Sequence, residues 1–153
     1  VSRFLVLNGP NLDMLGMRKP EVYGRKTLAD IEALVRDRAG ELGVEVEFAQ
    51  SNHEGELIDR IHAARGVMDG LVLNAGGLAH TSVVLRDAVE ASEVPMVEVH
   101  LTNVHARESF RHRLLLAPIA IGVIAGLGPM GYVFALDALA ENAGRDTVRD
   151  QGR

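Results

Sequence analysis

Five short apolar runs, each handing on to a stretch of helical period, constrain this chain more than any other feature. Residues 3–7 form the first run, stopped by Asn8-Gly9-Pro10. Residues 44–49 alternate as Val-Glu-Val-Glu-Phe-Ala, the pattern of a strand with one wetter face, near a sheet edge. Residues 71–73 close on Asn74-Ala-Gly-Gly, residues 96–99 deliver His100, and residues 119–124 make the fifth run. Between the first two, Thr27-Leu-Ala-Asp30 reads as a capping box. Leu28, Ile31, Leu34, Val35 and Leu42 then keep helical spacing as far as Gly43. Ser51-Asn-His-Glu54 reads as a second box, opening a helix that carries Leu57, Ile58 and Ile61. Thr81 or Ser82 caps a third through Leu85, Ala88 and Val89. Residues 110–118 read as irregular. A last amphipathic helix is expected over 131–143, with a polar, mobile tail at 144–153.

Strands alternating with helices specify α/β layers around a mostly parallel sheet, with right-handed crossovers. For five strands this predicts a flavodoxin-like three-layer sandwich, order 2-1-3-4-5, in one domain over residues 1–143. A chain of 153 residues suits one such domain. Two Tyr, four Phe and no Trp assign the core to Val, Leu, Ile and Ala, and argue against a base-stacking surface. A net charge of −5 offers no basic footprint for nucleic acid or anionic membrane. The absence of cysteine removes disulfides, thiolate metal sites and a cysteine nucleophile. No basic-then-apolar leader precedes the first strand, and no apolar run nears the ~18 residues that span a bilayer. A soluble, cytoplasmic protein is expected.

Ligands of such sheets collect outside the carboxyl ends of the strands. Asn8, Asn11, Gln50-Ser-Asn52, Asn74, His80, His100, Thr102 and Asn103 all follow strands, so one rim holds the chemistry. Residues 8–26 form a loop far longer than the usual six or so. There Arg18, Lys19, Arg25 and Lys26 bracket Tyr23. Nearby cations pull a phenol down from its usual pKa of about 10, while desolvation pushes it up. Tyr23 is therefore either a loop aromatic packed on the body or a phenolate base for a carbon acid under a closing lid. Glu98 precedes His100 by two residues and shares its side of the strand, where it can orient or charge the imidazole. The plainer reading of His100 is a surface histidine on a capped strand end.

Other motifs carry less. Gly126-x-Gly-x-x-Gly131 sits at the last strand–helix junction, contains Pro129 and is followed by no strand with a ribose-binding acid. It reads as a tight turn with close helix packing rather than a dinucleotide site. A phosphorelay receiver needs aspartates where Asn8 and Asn74 stand. His53, His62, His105 and His112 lack metal-ligand spacing, and no Gly-x-Ser-x-Gly elbow occurs.

Six segments in order resemble the type II dehydroquinases, the 3-dehydroquinate dehydratases of the shikimate pathway. They are Asn8-Gly-Pro-Asn-Leu12, Arg18-Lys-Pro-Glu-Val-Tyr-Gly24, Gln50-Ser-Asn-His-Glu-Gly55, the run from Asn74 to Asp87, Glu98-Val-His-Leu-Thr-Asn103 and Arg107-Glu-Ser-Phe-Arg111. The resemblance implies a flavodoxin-like subunit assembled into trimers and then dodecamers. It implies dehydration of 3-dehydroquinate to 3-dehydroshikimate with no metal, no organic cofactor and no Schiff-base lysine. Tyr23 is then the base, as phenolate, and Arg18 holds its charge. Asn11, with the backbone near Pro10 and Gly76, positions a water on the enolate oxygen. His100, supported by Glu98, is the general acid. Asn74 and the backbone of Leu101 and Thr102 hold the carboxylate, His80 and Arg111 the ring hydroxyls, and Asp87 reaches in from a neighbouring subunit. Asp13, Leu78-Ala79 and the segment 112–116 depart from the family's commoner residues. Two rivals remain: another enolising lyase or isomerase acting on a hydroxylated carboxylic acid, and a flavodoxin-like anion-binding scaffold without turnover.

Overall fold

The computed structural model describes residues 1–17 and 19–151; for Tyr23 and residues 147–151 it describes the backbone alone. Five strands form one sheet: β1 (Arg3–Asn8), β2 (Glu45–Gln50), β3 (Gly70–Asn74), β4 (Met96–His100) and β5 (Gly122–Ala125). All pairings are parallel and the order is β2-β1-β3-β4-β5. The flavodoxin-like order expected from the strand–helix alternation is the one observed.

Alternate residues of each strand feed two separate cores. On one face Leu5, Leu7, Leu71, Leu73 and Met96 pack with Leu57 and Ile61 of α3 (Glu54–Ala64) and with Leu85 and Val89 of α4 (Val83–Ser92). On the other, Phe4, Val6, Val72, Val97 and Val99 meet Ile31 and Val35 of α2 (Leu28–Leu42). Tyr132, Leu136 and Leu139 of α5 (Met130–Gln151) complete that layer. Central strands buried on both sides read as continuous apolar runs. Edge strand β2 alternates exposed and half-buried instead. The aliphatic core expected from composition is corrected in one respect: Tyr132 and Phe4 are among its largest fully buried side chains.

Local signals decide most boundaries. Thr27 caps α2 in a reciprocal box: Thr27 Oγ1 accepts from the Asp30 N–H, and the Asp30 carboxylate accepts from the Thr27 N–H. Gly43 closes the helix in the left-handed region at φ 69°. Ser82, rather than Thr81, caps α4 through the Leu85 N–H.

Three expectations are revised. Ser51 does not cap α3, whose cap is His53; its hydroxyl accepts from the His53 N–H and donates to Glu56. The fifth strand starts at Gly122 because Ala117–Ile119 forms a 3-10 turn around Pro118, whose fixed φ and missing N–H suit a turn better than a ladder. The last helix continues through residue 144 to Gln151, with a 2.5 Å Arg145–Glu141 pair at i,i+4 helping it on. No helix among the described residues is long and apolar enough to cross a membrane.

Candidate active site

Parallel strands put their last residues side by side. Asn8 of β1 lies in register with Asn74 of β3 and Gln50 of β2, and His100 ends β4 opposite Ala125. The first loop turns directly over this rim. The Gly9 N–H donates to Asn74 O at 2.8 Å, and a Cβ on Gly9 would fall 2.4 Å from Ala75 O, so only glycine allows the approach. Asn11 adopts φ 71°, and its N–H donates to Asn52 Oδ1 at 2.9 Å. Gln50 Nε2 donates both to Gly9 O and to Asn52 Oδ1. The polar end of β2 is thus a scaffold that fixes the conformation of the first loop.

Between that loop and the segment after β4 lies a cavity of about 180 Å³. Asn11, Asn74, His80, His100, Leu101, Thr102, Arg107 and Arg111 contribute polar or backbone groups to its wall, with Leu12, Met14 and Leu15 on the apolar side. Arg107 and Arg111 give it a cationic bias, which suits an anion.

Among the described residues, His100 and Glu98 form the most buried ionisable pair. Glu98 is fully buried, His100 nearly so, and Glu98 Oε2 lies 2.5 Å from His100 Nε2. An ionised carboxylate only accepts, so Nε2 carries a hydrogen and Nδ1 is left for the cleft. Glu98 Oε1 is the buried side-chain polar atom among the described residues that has no partner. A carboxylate held this way fixes the tautomer and the orientation of the ring. His80 stacks on His100, with ring centroids 6.1 Å apart and planes 23° apart. His80 Nδ1 sits 3.0 Å from Arg113 O, and since a carbonyl only accepts, that nitrogen bears the hydrogen and Nε2 is the free acceptor.

Asn74 is held from two sides. Its Oδ1 accepts from the Gly76 N–H at 3.2 Å, and its Nδ2 donates to the Tyr132 hydroxyl at 2.8 Å. Tyr132 donates in turn to Asn8 Oδ1 at 2.7 Å. Burial pushes the Tyr132 phenol well above its usual value, a rise only partly offset by the Asn74 bond. Arg111 pairs with Glu108, and this bond holds the Glu108 carboxyl below the usual range.

The structure brings Asn11, Asn74, His80, His100, Leu101, Thr102 and Arg111 to one wall, with Glu98 behind His100. Asp87 is exposed on α4 and does not line the cleft of its own chain. The backbone of Tyr23 ends the short α1 (Pro20–Tyr23), which follows Lys19 at φ 39°. The Tyr23 side chain and Arg18 lie outside the described residues. Two residues were not singled out from sequence. Arg107, which donates to Thr102 Oγ1 at 3.4 Å, was visible in the Arg107–Arg111 segment; Tyr132 gave no signal beyond being one of two tyrosines. The departures at 78–79 and 112–116 engage the site through main chain and through His112, whose Nε2 lies 2.9 Å from Arg107 O. Leu115 N–H donates to Ala79 O, Arg113 O takes the His80 hydrogen, and Arg86 donates to Leu115 O. Asp13 accepts from Asn52 Nδ2 at 3.4 Å.

Comparison with known proteins agrees with this geometry. The family model described as "Dehydroquinase class II" matches residues 2–140. A 3-dehydroquinate dehydratase 1 of Corynebacterium efficiens is 62% identical over 141 residues, covering 92% of this chain and 93% of that protein. A 3-dehydroquinate dehydratase of Dinoroseobacter shibae is 60% identical over 88% of this chain and 89% of its own. Among solved structures, the type II dehydroquinase of Propionibacterium acnes superposes with a TM-score of 0.89 at 39% identity, covering 92% of this chain and 97% of that one. That of Butyrivibrio crossotus gives 0.88 at 40% identity, covering 90% and 97%. With a match over nearly its whole length and the same fold, the chain belongs to the class II dehydroquinases.

Proposed function

We propose that this protein dehydrates 3-dehydroquinate to 3-dehydroshikimate through an enolate, with Tyr23 as base and His100 as acid. The observation that carries the reading is the buried Glu98–His100 pair opening onto a cationic cleft that Asn74 and the first loop also line. The activity follows the family and its close relatives; the residue roles are those the resemblance implies, and chemistry says what each supplies.

A proton beside a carbonyl is weakly acidic, so its removal needs a strong base and a stabilised oxyanion. Tyr23, as phenolate held by Arg18, takes the C2 proton, and the C–H electrons move onto the C3 oxygen. A water bound by Asn11 and the backbone at Pro10 and Gly76 supports that oxygen. The enolate then collapses, forming the C1–C2 double bond as the C1–O bond breaks. His100 gives its Nδ1 proton to the departing hydroxyl, which leaves as water, and Tyr23 and His100 regain their starting protonation by exchange with solvent. Glu98 stabilises the imidazolium before transfer and orients the ring after it. Asn74 and the backbone of Leu101 and Thr102 hold the carboxylate. His80 and Arg111 take the ring hydroxyls, and Asp87 comes from a neighbouring copy in a trimer-based dodecamer working in the cytoplasm. None of these steps asks for a metal, an organic cofactor or a Schiff-base lysine.

Growth of enone absorbance when the protein meets 3-dehydroquinate tests the reading, and turnover is expected to survive chelator and borohydride. Tyr23→Phe, which removes one hydroxyl, should abolish turnover with the fold intact. His100→Ala should lower kcat by about 10²–10⁴-fold, the usual weight of a general acid, while binding is partly kept. Near-normal turnover by Tyr23→Phe would falsify the assignment of the base.

A further inference from the structure

Tyr132 is fully buried one hydrogen bond behind the cleft wall, and no step above uses it. A chain of bonds runs through it in one direction. Asn8 Nδ2 donates to Ala49 O at 3.1 Å, which leaves Oδ1 as the end of that amide facing Tyr132. The phenol hydrogen goes to that oxygen at 2.7 Å. The phenol oxygen is then free to accept, and does so from Asn74 Nδ2 at 2.8 Å. At its other end Asn74 accepts from the Gly76 N–H. A primary amide and its flipped form have almost the same shape, so only partners that distinguish oxygen from nitrogen fix which is which. Here the Gly76 N–H does so outright, and the Tyr132 hydroxyl does so because its hydrogen is committed to Asn8 Oδ1. One Nδ2 hydrogen of Asn74 remains unused, on a residue that lines the cleft.

We propose that Tyr132 is a positioning residue that locks the Asn74 amide so that this wall of the cleft presents an N–H, selecting an accepting group such as a carboxylate over a donating one. The inference rests on Asn74 being the carboxylate contact. Burial also keeps the phenol protonated well beyond neutral pH, so the direction of the chain does not reverse in working conditions. The same lock explains the pairing of asparagines, rather than ionisable aspartates, at the ends of β1 and β3. Each has to donate with one end and accept with the other.

A double-mutant cycle on kcat/KM tests it. Tyr132→Phe is nearly isosteric and is expected to raise KM for 3-dehydroquinate about tenfold with kcat within about threefold, the pattern of lost binding shared by ground and transition states. It should also narrow the preference for the carboxylate over its primary amide. In an Asn74→Ala background the same change should have no further effect on kcat/KM, because Tyr132 acts only through Asn74. Amide NMR gives a readout independent of turnover: one shifted, exchange-protected Asn74 side-chain signal, lost in Tyr132→Phe. Equal factors in both backgrounds, or an unchanged KM and Asn74 signal, would overturn the proposal. If Asn74→Ala alone leaves KM unchanged, the carboxylate contact itself is wrong. Should Tyr132→Phe not fold, Asn8→Ala frees the phenol hydrogen and enters the same cycle with the same expected outcomes.

Discussion

The two tyrosines of this chain are set opposite tasks by their surroundings. Tyr132 is kept neutral by burial, whereas Tyr23 is proposed to ionise among cations. The first of these has a stability consequence with a definite sign. A phenol whose folded pKa lies above its unfolded value of about 10 favours the native state fully below that value. Above it the unfolded chain loses a proton that the native chain keeps, so this contribution falls by about 1.4 kcal/mol per pH unit. Tyr132→Phe should cost about 1–3 kcal/mol at pH 8, since Asn8 Oδ1 and Asn74 Nδ2 lose a buried partner. The gap between wild type and variant should shrink above pH 10, because phenylalanine has nothing to ionise. Urea unfolding of both proteins at pH 8, 10 and 11 measures it, and a constant gap would contradict the linkage. In the sequence, His100, Glu98 and Asn74 stood out because each is polar at a strand end. Tyr132 did not, because its partners lie 58 and 124 positions away and only the closed sheet brings them together.

Helix ends show why some punctuation was readable and some was not. Thr27-x-x-Asp30 forms the box it spells, because nothing else competes for either side chain. Ser51-x-x-Glu54 spells the same signal but fails. The Ser51 hydroxyl is drawn to Glu56, and Glu54 accepts from the Ser82 hydroxyl at 2.6 Å across the α3–α4 contact. Tertiary partners outbid the local pattern, and sequence spacing has no means of showing them. The same bond makes Ser82 more than a cap, since it satisfies the Leu85 N–H and also ties two helices together. Thr27→Ala should therefore cost about 1 kcal/mol, the ordinary value of a cap. Ser82→Ala should cost visibly more, and thermal unfolding of both variants ranks them. Asp30 adds a pH signature. Its backbone bond to Thr27 holds the carboxyl below its usual value. Its stabilisation is thus fully present above about pH 4, the unfolded range, and is lost as pH falls through the lower folded value. Asp30→Asn should be less stable than wild type at neutral pH and converge with it in acid.

At the scale of the whole molecule, one chain presents a cleft that its own Asp87 does not reach and surfaces that a lone subunit leaves bare. Edge strand β5 shows Val123 to solvent, α5 shows Met130 and Phe134, and α4 carries exposed Val83 and Val84 close to Asp87. An apolar edge strand and an apolar helix face in one subunit suit burial against further copies. Strand order was legible because five strands alternating with helices favour one arrangement, and the wetter alternation of β2 marks it as an edge. Subunit arrangement was not, since exposed valines look the same in any context. If each cleft is completed by Asp87 of a neighbour, two defects on different chains should repair one another. Tyr23→Phe keeps a good Asp87 to lend, and Asp87→Ala keeps a good Tyr23. Co-expressed in equal amounts and mixed at random, they leave about one site in four with both residues intact. Activity should then rise towards a quarter of wild type, well above either parent alone. If Asp87 instead acted within its own chain, every site in the hybrid would lack one residue or the other. Activity would then stay at the parental mean, whatever the oligomer's size by sedimentation.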